Sequence, residues 1–200
     1  MSDEHLREHR QAGERLHKGN FLELRRDHVR LPDGSTATRE YVRHPGAVAI
    51  VPLLDDGRIV LERQFRYPVG RVMLEIPAGK IDAGEHTLQC AMRELREETG
   101  YTARQWARAG IVHNAAAYST ETIEIWFARG LSHGTQQLDH GEFIELCLLG
   151  EAQMDARAAA GEISDVKTLV GLLWLQKWRA GAWPLEWVDA PGDGATIMRP

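Results

Sequence analysis

The sequence predicts a sandwich of mixed strands and helices, of α/β or α+β type, with a β-hairpin ahead of the main domain. Three observations lead there. Residues 47–54, AVAIVPLL, form a continuous apolar run of strand length, as expected of a strand covered on both faces. In residues 86–99, Leu88, Ala91, Met92 and Leu95 recur at i, i+3, i+4 and i+7, the apolar stripe of a surface helix. Strand-like and helix-like stretches then follow one another without internal repeats, and 200 residues suffice for one well-buried domain with a small appendage.

Taken in order, residues 1–18 are polar and rich in Glu, Arg and His, and are expected to be a frayed tail or a short solvated helix. Residues 21–30 and 36–43 alternate loosely around the turn signal Leu31-Pro32-Asp33-Gly34, which predicts a hairpin. A hairpin alone is marginal in water, so this one must pack on the main domain or on a second subunit. Asp55-Asp56-Gly57 turns the chain after the apolar run, and residues 58–65 read as the hairpin partner of that strand. A short strand at 72–76 ends at Pro77-Ala78-Gly79. The helix over 86–99 has Thr87 as a possible N-cap and Gly100 as the residue just past its end. Further strands are expected near 107–112, 122–128 and 143–149, and helices near 151–160 and 164–180. In the last of these Val166, Leu169, Val170, Leu173 and Leu175 recur at near-helical spacing, and its tryptophans are assigned to packing.

Composition narrows the function classes. Apolar residues make up 43% and charged residues 26%, the balance of an ordinary globular protein. The net charge of -5 gives no support for a nucleic-acid partner, and no apolar run approaches the roughly 20 residues that span a bilayer. The opening MSDEHLREHRQ is charged and lacks the apolar core of a secretory signal, so a cytoplasmic location is expected. Cys90 and Cys147 show no zinc-site spacing and read as thiols.

The chemistry lies in residues 79–100. Glu94, Glu97 and Glu98 stand three or four apart and share nearly one helix face. Such like charges destabilise a bare helix, and an acidic face is most often merely solvated. Arg93, four before Glu97, can neutralise part of the charge. A hard divalent cation would offset more, since Mg²⁺ prefers carboxylate oxygens, water and phosphate. Gly79 and Gly84 let the preceding loop turn tightly, and such a loop can present a backbone carbonyl to the same ion.

Gly79, Glu85, Arg93, Glu94, Leu95, Glu97, Glu98 and Gly100 match the pattern Gly-x5-Glu-x7-Arg-Glu-U-x-Glu-Glu-x-Gly-U, with U a bulky apolar residue. This segment resembles the Nudix box, with Tyr101 standing where an aliphatic residue is commoner. The resemblance implies an α/β/α sandwich around a mixed sheet, with the Nudix domain at residues 46–200 and a tail and hairpin at 1–45. It implies Mg²⁺, with Mn²⁺ as an alternative. Glu94 and Glu98 would be principal ligands, Glu97 a further or water-mediated one, and Ala78 a carbonyl donor, while Glu85 and Arg93 brace the loop. The implied reaction is attack of water on a phosphorus of a nucleoside diphosphate linked to another group.

Arg63-Gln64-Phe65-Arg66-Tyr67 and Leu74-Glu75-Ile76-Pro77-Ala78-Gly79 are similar to the ADP-ribose pyrophosphatase subgroup. That likeness implies a phosphate-binding role for Arg66, a substrate contact for Glu121, and an approach of Glu142 to the metal. Asp139, His140 or Glu142 would supply the base, and the sequence does not choose among them. ADP-ribose, split to AMP and ribose 5-phosphate, is the implied substrate; GDP-mannose, another sugar nucleotide or NADH are the alternatives. A Nudix-fold sensor without turnover is disfavoured because every box glutamate is retained. The subgroup also implies a homodimer built through the N-terminal region.

Overall fold

A computed structural model describes residues 2–192. The chain forms two compact units, one made of residues up to Gly46 together with His113–Thr122, the other of Ala47–Val112 and the described residues from Ile123 onward.

The first unit is a three-stranded antiparallel sheet of β1 (His9–Lys18), β2 (Glu23–Arg30) and β3 (Thr36–Arg43). The hairpin of β2 and β3 turns where Leu31-Pro32-Asp33-Gly34 lies, with Gly34 at φ 85°. The expectation for residues 1–18 is corrected: apart from a single 3-10 turn at Glu4–Leu6, they are mostly strand. All ten residues of β1 are exposed, so neither face carries apolar alternation and no periodicity betrays a strand. Backbone pairing to β2 and ion pairs such as Arg10 Nε to Asp27 Oδ2 at 2.9 Å hold it. Segment 113–122 joins this unit through Val42 N–H donating to Tyr118 O at 2.8 Å and Thr120 N–H donating to Val42 O at 3.0 Å.

The second unit contains β4 (Ala47–Leu53), β5 (Ile59–Arg66), β6 (Arg71–Glu75), β7 (Ala78–Lys80), α1 (Thr87–Thr99), β8 (Tyr101–Val112), β9 (Ile123–His133), β10 (Ile144–Leu149), α2 (Glu151–Ala159), α3 (Val166–Arg179) and β11 (Trp187–Asp189). Its eight strands run in the order β10-β5-β4-β9-β8-β11, with β6 on β5 and β7 on β4. β4 lies parallel to β9, and the other pairings are antiparallel, so the sheet is mixed.

Every residue of β4 is buried, as the apolar run predicts. Val48 and Ile50 pack with Leu88, Ala91 and Leu95 of α1 on one face. Ala49, Val51 and Leu53 pack with Met154 of α2 and Leu172 and Leu175 of α3 on the other. Helices therefore cover both faces of the sheet, the expected α/β/α sandwich.

The expected hairpin of β4 with β5 forms across the turn at Asp55-Asp56-Gly57, but its pairing is short. The two strands share only the pair Leu53↔Ile59. β9 takes one edge of β4 along its whole length, and β7 takes the start of the other. β5 thus splays away and pairs with β6 and β10 instead. Among the described residues, no helix is long and apolar enough to cross a membrane.

Candidate active site

The N-cap of α1 lies one residue before the expected one. His86, not Thr87, is the N-cap: its Nδ1 accepts from Leu88 N–H at 3.1 Å, and Gln89 Oε1 accepts from His86 N–H at 3.4 Å. Thr87 Oγ1 donates instead to Glu124 at 2.6 Å. The helix closes at Gly100, at φ 73°, where a Cβ would meet Gly134 O at 2.8 Å. The segment after β9 lies on this helix end: Gln137 N–H donates to Glu97 O at 2.9 Å and Gln136 Nε2 to Glu98 O at 2.6 Å.

Arg93 organises the outer part of the acidic face. Its guanidinium reaches both Glu85 oxygens at 2.9 Å, Glu94 Oε1 at 2.7 Å and Glu97 Oε2 at 3.0 Å, and donates to Lys80 O at 3.2 Å. The loop and the helix are thereby tied together by one cation, which holds the Glu85 carboxyl below the usual carboxylate range. Gly79 is needed for room, because a Cβ there would fall on the Glu94 carboxylate. Burial raises Glu94 against the opposing pull of Arg93.

Glu98 lies on the inner side, at 4% exposure. Its Oε2 accepts from Ala78 N–H at 2.9 Å. Burial, then the charges of Glu62, Glu94 and Glu142, push its carboxyl well above the usual range, and the Ala78 N–H only partly offsets them. Glu142 sits in the turn before β10, where its Oε2 accepts from Asp139 N–H at 3.3 Å; Asp139 and His140 are exposed.

Three charged residues of this region escaped the sequence reading. Glu62 on β5 is 2% exposed, its Oε1 has no hydrogen-bond partner, and burial pushes its carboxyl up to about 8. Glu75 on β6 is equally buried but accepts from Arg66 Nε at 2.8 Å and Nη2 at 2.9 Å, and pairs with Lys167, itself 3.0 Å from Asp165. Burial would raise Glu75, yet the Arg66 and Lys167 interactions outweigh it and hold the carboxyl low. Arg66 is therefore already held at Nε and Nη2, which leaves Nη1 as the edge a further anion would meet.

Glu121 belongs to the first unit. It accepts from Asn114 Nδ2 at 3.1 Å and lies 3.7 Å from His44 Nε2.

Among the described residues, no three His, Cys, Asp or Glu side chains converge as a ready-made metal cage, and Arg93 pairs with Glu85, Glu94 and Glu97. The donor set nonetheless fits a hard divalent cation. It is all oxygen, and the Glu98 carboxyl, at 4% exposure, needs a cation beside it to be held ionised.

The NUDIX domain profile matches residues 43–169, and the profile of the nucleoside diphosphate sugar hydrolase N-terminal domain matches residues 8–42. The chain is 35% identical over 167 residues to an ADP-ribose pyrophosphatase of Bacillus subtilis, covering 82% of this chain and 90% of that one. It is 36% identical over 165 residues to a methanol dehydrogenase activator of Bacillus methanolicus, covering 82% and 89%. It is 37% identical over 188 residues to an ADP-ribose pyrophosphatase of Mycobacterium tuberculosis, covering 90% and 91%. In fold it is similar to the crystal structure of an ADP compounds hydrolase, at TM-score 0.77 and 21% identity, over 87% of this chain and 95% of that one.

Proposed function

This chain belongs to the NUDIX family, and from that membership we propose that it is a Mg²⁺-dependent pyrophosphatase of nucleoside diphosphate sugars, cutting ADP-ribose to AMP and ribose 5-phosphate. The observation that carries the reading is Glu98, a buried carboxylate on the box helix surrounded by like charge. A substrate carrying two phosphates brings further negative charge to such a site, so catalysis there requires a cation.

Nudix hydrolases generally use divalent cations, and Glu94, Glu97, Glu98, Glu142 and the Ala78 carbonyl would hold Mg²⁺, or Mn²⁺ in its place. A cation so bound supplies charge neutralisation and orientation of the two phosphates. The chain's own groups do the rest. Arg66, oriented by its two-pronged hold on Glu75, offers Nη1 to a phosphate oxygen. Glu121 contacts the substrate. Asp139 or Glu142, in a turn open to solvent, takes the proton of the attacking water, and Glu97 and Glu98 complete the acidic wall. Arg93 and Glu85 keep loop and helix in one register, so that water, phosphorus and leaving group stay in line. Gly79 and Gly100 allow the two close backbone approaches that this requires.

ADP-ribose, GDP-mannose and NADH assayed with Mg²⁺ test the reading. ADP-ribose is expected to give AMP and ribose 5-phosphate with the highest kcat/KM, and Glu98→Gln to lower turnover by more than the roughly 10- to 100-fold of losing an outer-shell partner. Preference for another nucleotide would change the substrate. No turnover of any, with Mg²⁺ or Mn²⁺, would leave a nucleotide sensor.

We also propose that residues 1–45 mediate a homodimer of a cytoplasmic enzyme. The support is a sheet with few apolar contacts of its own, whose outer strand exposes every residue. Sedimentation equilibrium should return twice the chain mass; a single-chain mass would end this part of the reading.

A further inference from the structure

We propose that Gln136 is a positioning residue for the reaction, the pin of a strap that ties the turn of Asp139 and Glu142 to the helix turn of Glu97 and Glu98; the inference rests on the function proposed above. Residues 134–137 run opposite in direction to the last turn of α1 and bond to it in order. Gly134 N–H donates to Gly100 O at 2.7 Å, Gln136 Nε2 to Glu98 O at 2.6 Å, and Gln137 N–H to Glu97 O at 2.9 Å. The two segments meet closely. A Cβ on Gly100 would lie 2.8 Å from Gly134 O, and one on Gly134 would lie 3.1 Å from Gly100 O. Glycine at both positions is what allows the approach.

A cap that served the helix alone would not need this. The last carbonyls of a helix lack intrahelical donors, and at a surface water satisfies them. Gly100 already closes α1, its N–H donating to Arg96 O at 2.9 Å in the left-handed conformation. Ordering four further residues costs conformational entropy that water would spare. The donors of the strap reach the carbonyls of Glu97 and Glu98, and Leu138 alone separates Gln137 from Asp139. The turn that follows is itself closed by Glu142 N–H donating to Asp139 O at 3.0 Å. The acidic end of the helix and the proton-accepting turn are thus joined through a short, bonded segment. The residue type fits the task as well. Cations are the usual partners of a helix C-terminus, but a lysine or arginine at 136 would compete for the carboxylates that are to hold Mg²⁺. An amide donates the same hydrogen bond and brings no charge.

Two variants of the full chain test the strap. Gln136→Met keeps the length and removes the donor; Gln136→Asn keeps the amide but draws it back from Glu98 O, so a folded variant is at hand whichever the half-buried position tolerates. Thermal midpoints show that each folds. Amide hydrogen exchange of the metal-free proteins follows Gln137, and steady-state kinetics with Mg²⁺ follow the nucleotide that the parent chain hydrolyses best. The Gln137 amide is expected to exchange about 10-fold faster or more, with Leu95 inside the helix unchanged. Turnover is expected to fall about 10- to 100-fold with KM within about twofold of the parent value, the signature of an interaction that counts in the transition state. An unchanged kcat in a folded variant overturns the proposal and leaves the strap a helix cap; unchanged exchange at Gln137 overturns it too, since Gln136 then pins nothing. If the parent chain hydrolyses no nucleotide, the proposed function fails and this inference fails with it, whereas an unchanged kcat beside an active parent sinks this inference alone.

Discussion

Glu62 and Glu75 face each other across β5 and β6, and each is 2% exposed, yet they differ in what donates to them. Glu75 is gripped by Arg66 and Lys167 and is stabilised as a carboxylate. Burial pushes the Glu62 carboxyl up to about 8 although it feels the charges of Lys167 and Arg66, and it has an oxygen with no donor. Burial raises both carboxyls, and what separates them is hydrogen bonding: Arg66 and Lys167 donate to Glu75 and not to Glu62. One member of this pair belongs to a finished ion-pair network, and the other is a buried carboxyl that burial favours in its neutral form.

The largest effect that would break this contrast is removal of a cation from the finished side. Lys167→Met leaves Glu75 with Arg66 alone and exposes Asp165 to an unbalanced charge; breaking a buried pair in this way costs about 3–5 kcal/mol. Urea unfolding measures it, and a loss below about 1 kcal/mol would mean that Arg66 suffices and the network is not a unit.

A smaller effect sharpens the comparison through pH. Because the folded carboxyl of Glu75 lies below its ordinary value of 4.5, its stabilisation is complete above that value and is lost as pH falls through the depressed one. Unfolding free energy should therefore drop more steeply below about pH 4.5 in the parent chain than in Glu75→Gln. Parallel slopes would show that Arg66 and Lys167 do not favour the ionised form.

The half of the site that could be read from sequence is the half that the chain keeps contiguous. Glu85, Arg93, Glu94, Glu97 and Glu98 fall within one loop and one helix, so spacing alone brings them to one face, and Arg93 does bind three of the glutamates. β4 was legible for a similar reason, since a strand buried on both faces needs an uninterrupted apolar run. Glu62 was not legible. In Leu61-Glu62-Arg63-Gln64 it looks like one more solvent-facing position, and only the pairing of β5 with β6 and β10 encloses it. Lys167 and Glu75 meet across 92 residues, a separation with no periodic trace. The exposed strand β1 was hidden for the opposite reason, since backbone pairing without a buried face leaves no pattern in side chains. The splay of β4 from β5 could not be seen either, because it depends on β9 arriving from a distant part of the chain.

The membership of His113–Thr122 in the first unit has a consequence for dissection of the gene. The ten residues are spliced between β8 and β9 of the other unit, while their backbone partners lie at Val42 and His44. No single cut therefore separates the two units. A truncation at Gly46 would strand Tyr118 and Thr120 without the groups they bond, and Glu121 without His44. The amino-terminal sheet is not a cassette that can be lifted out intact, and any graft of it onto another scaffold would have to carry a loop encoded some seventy codons downstream.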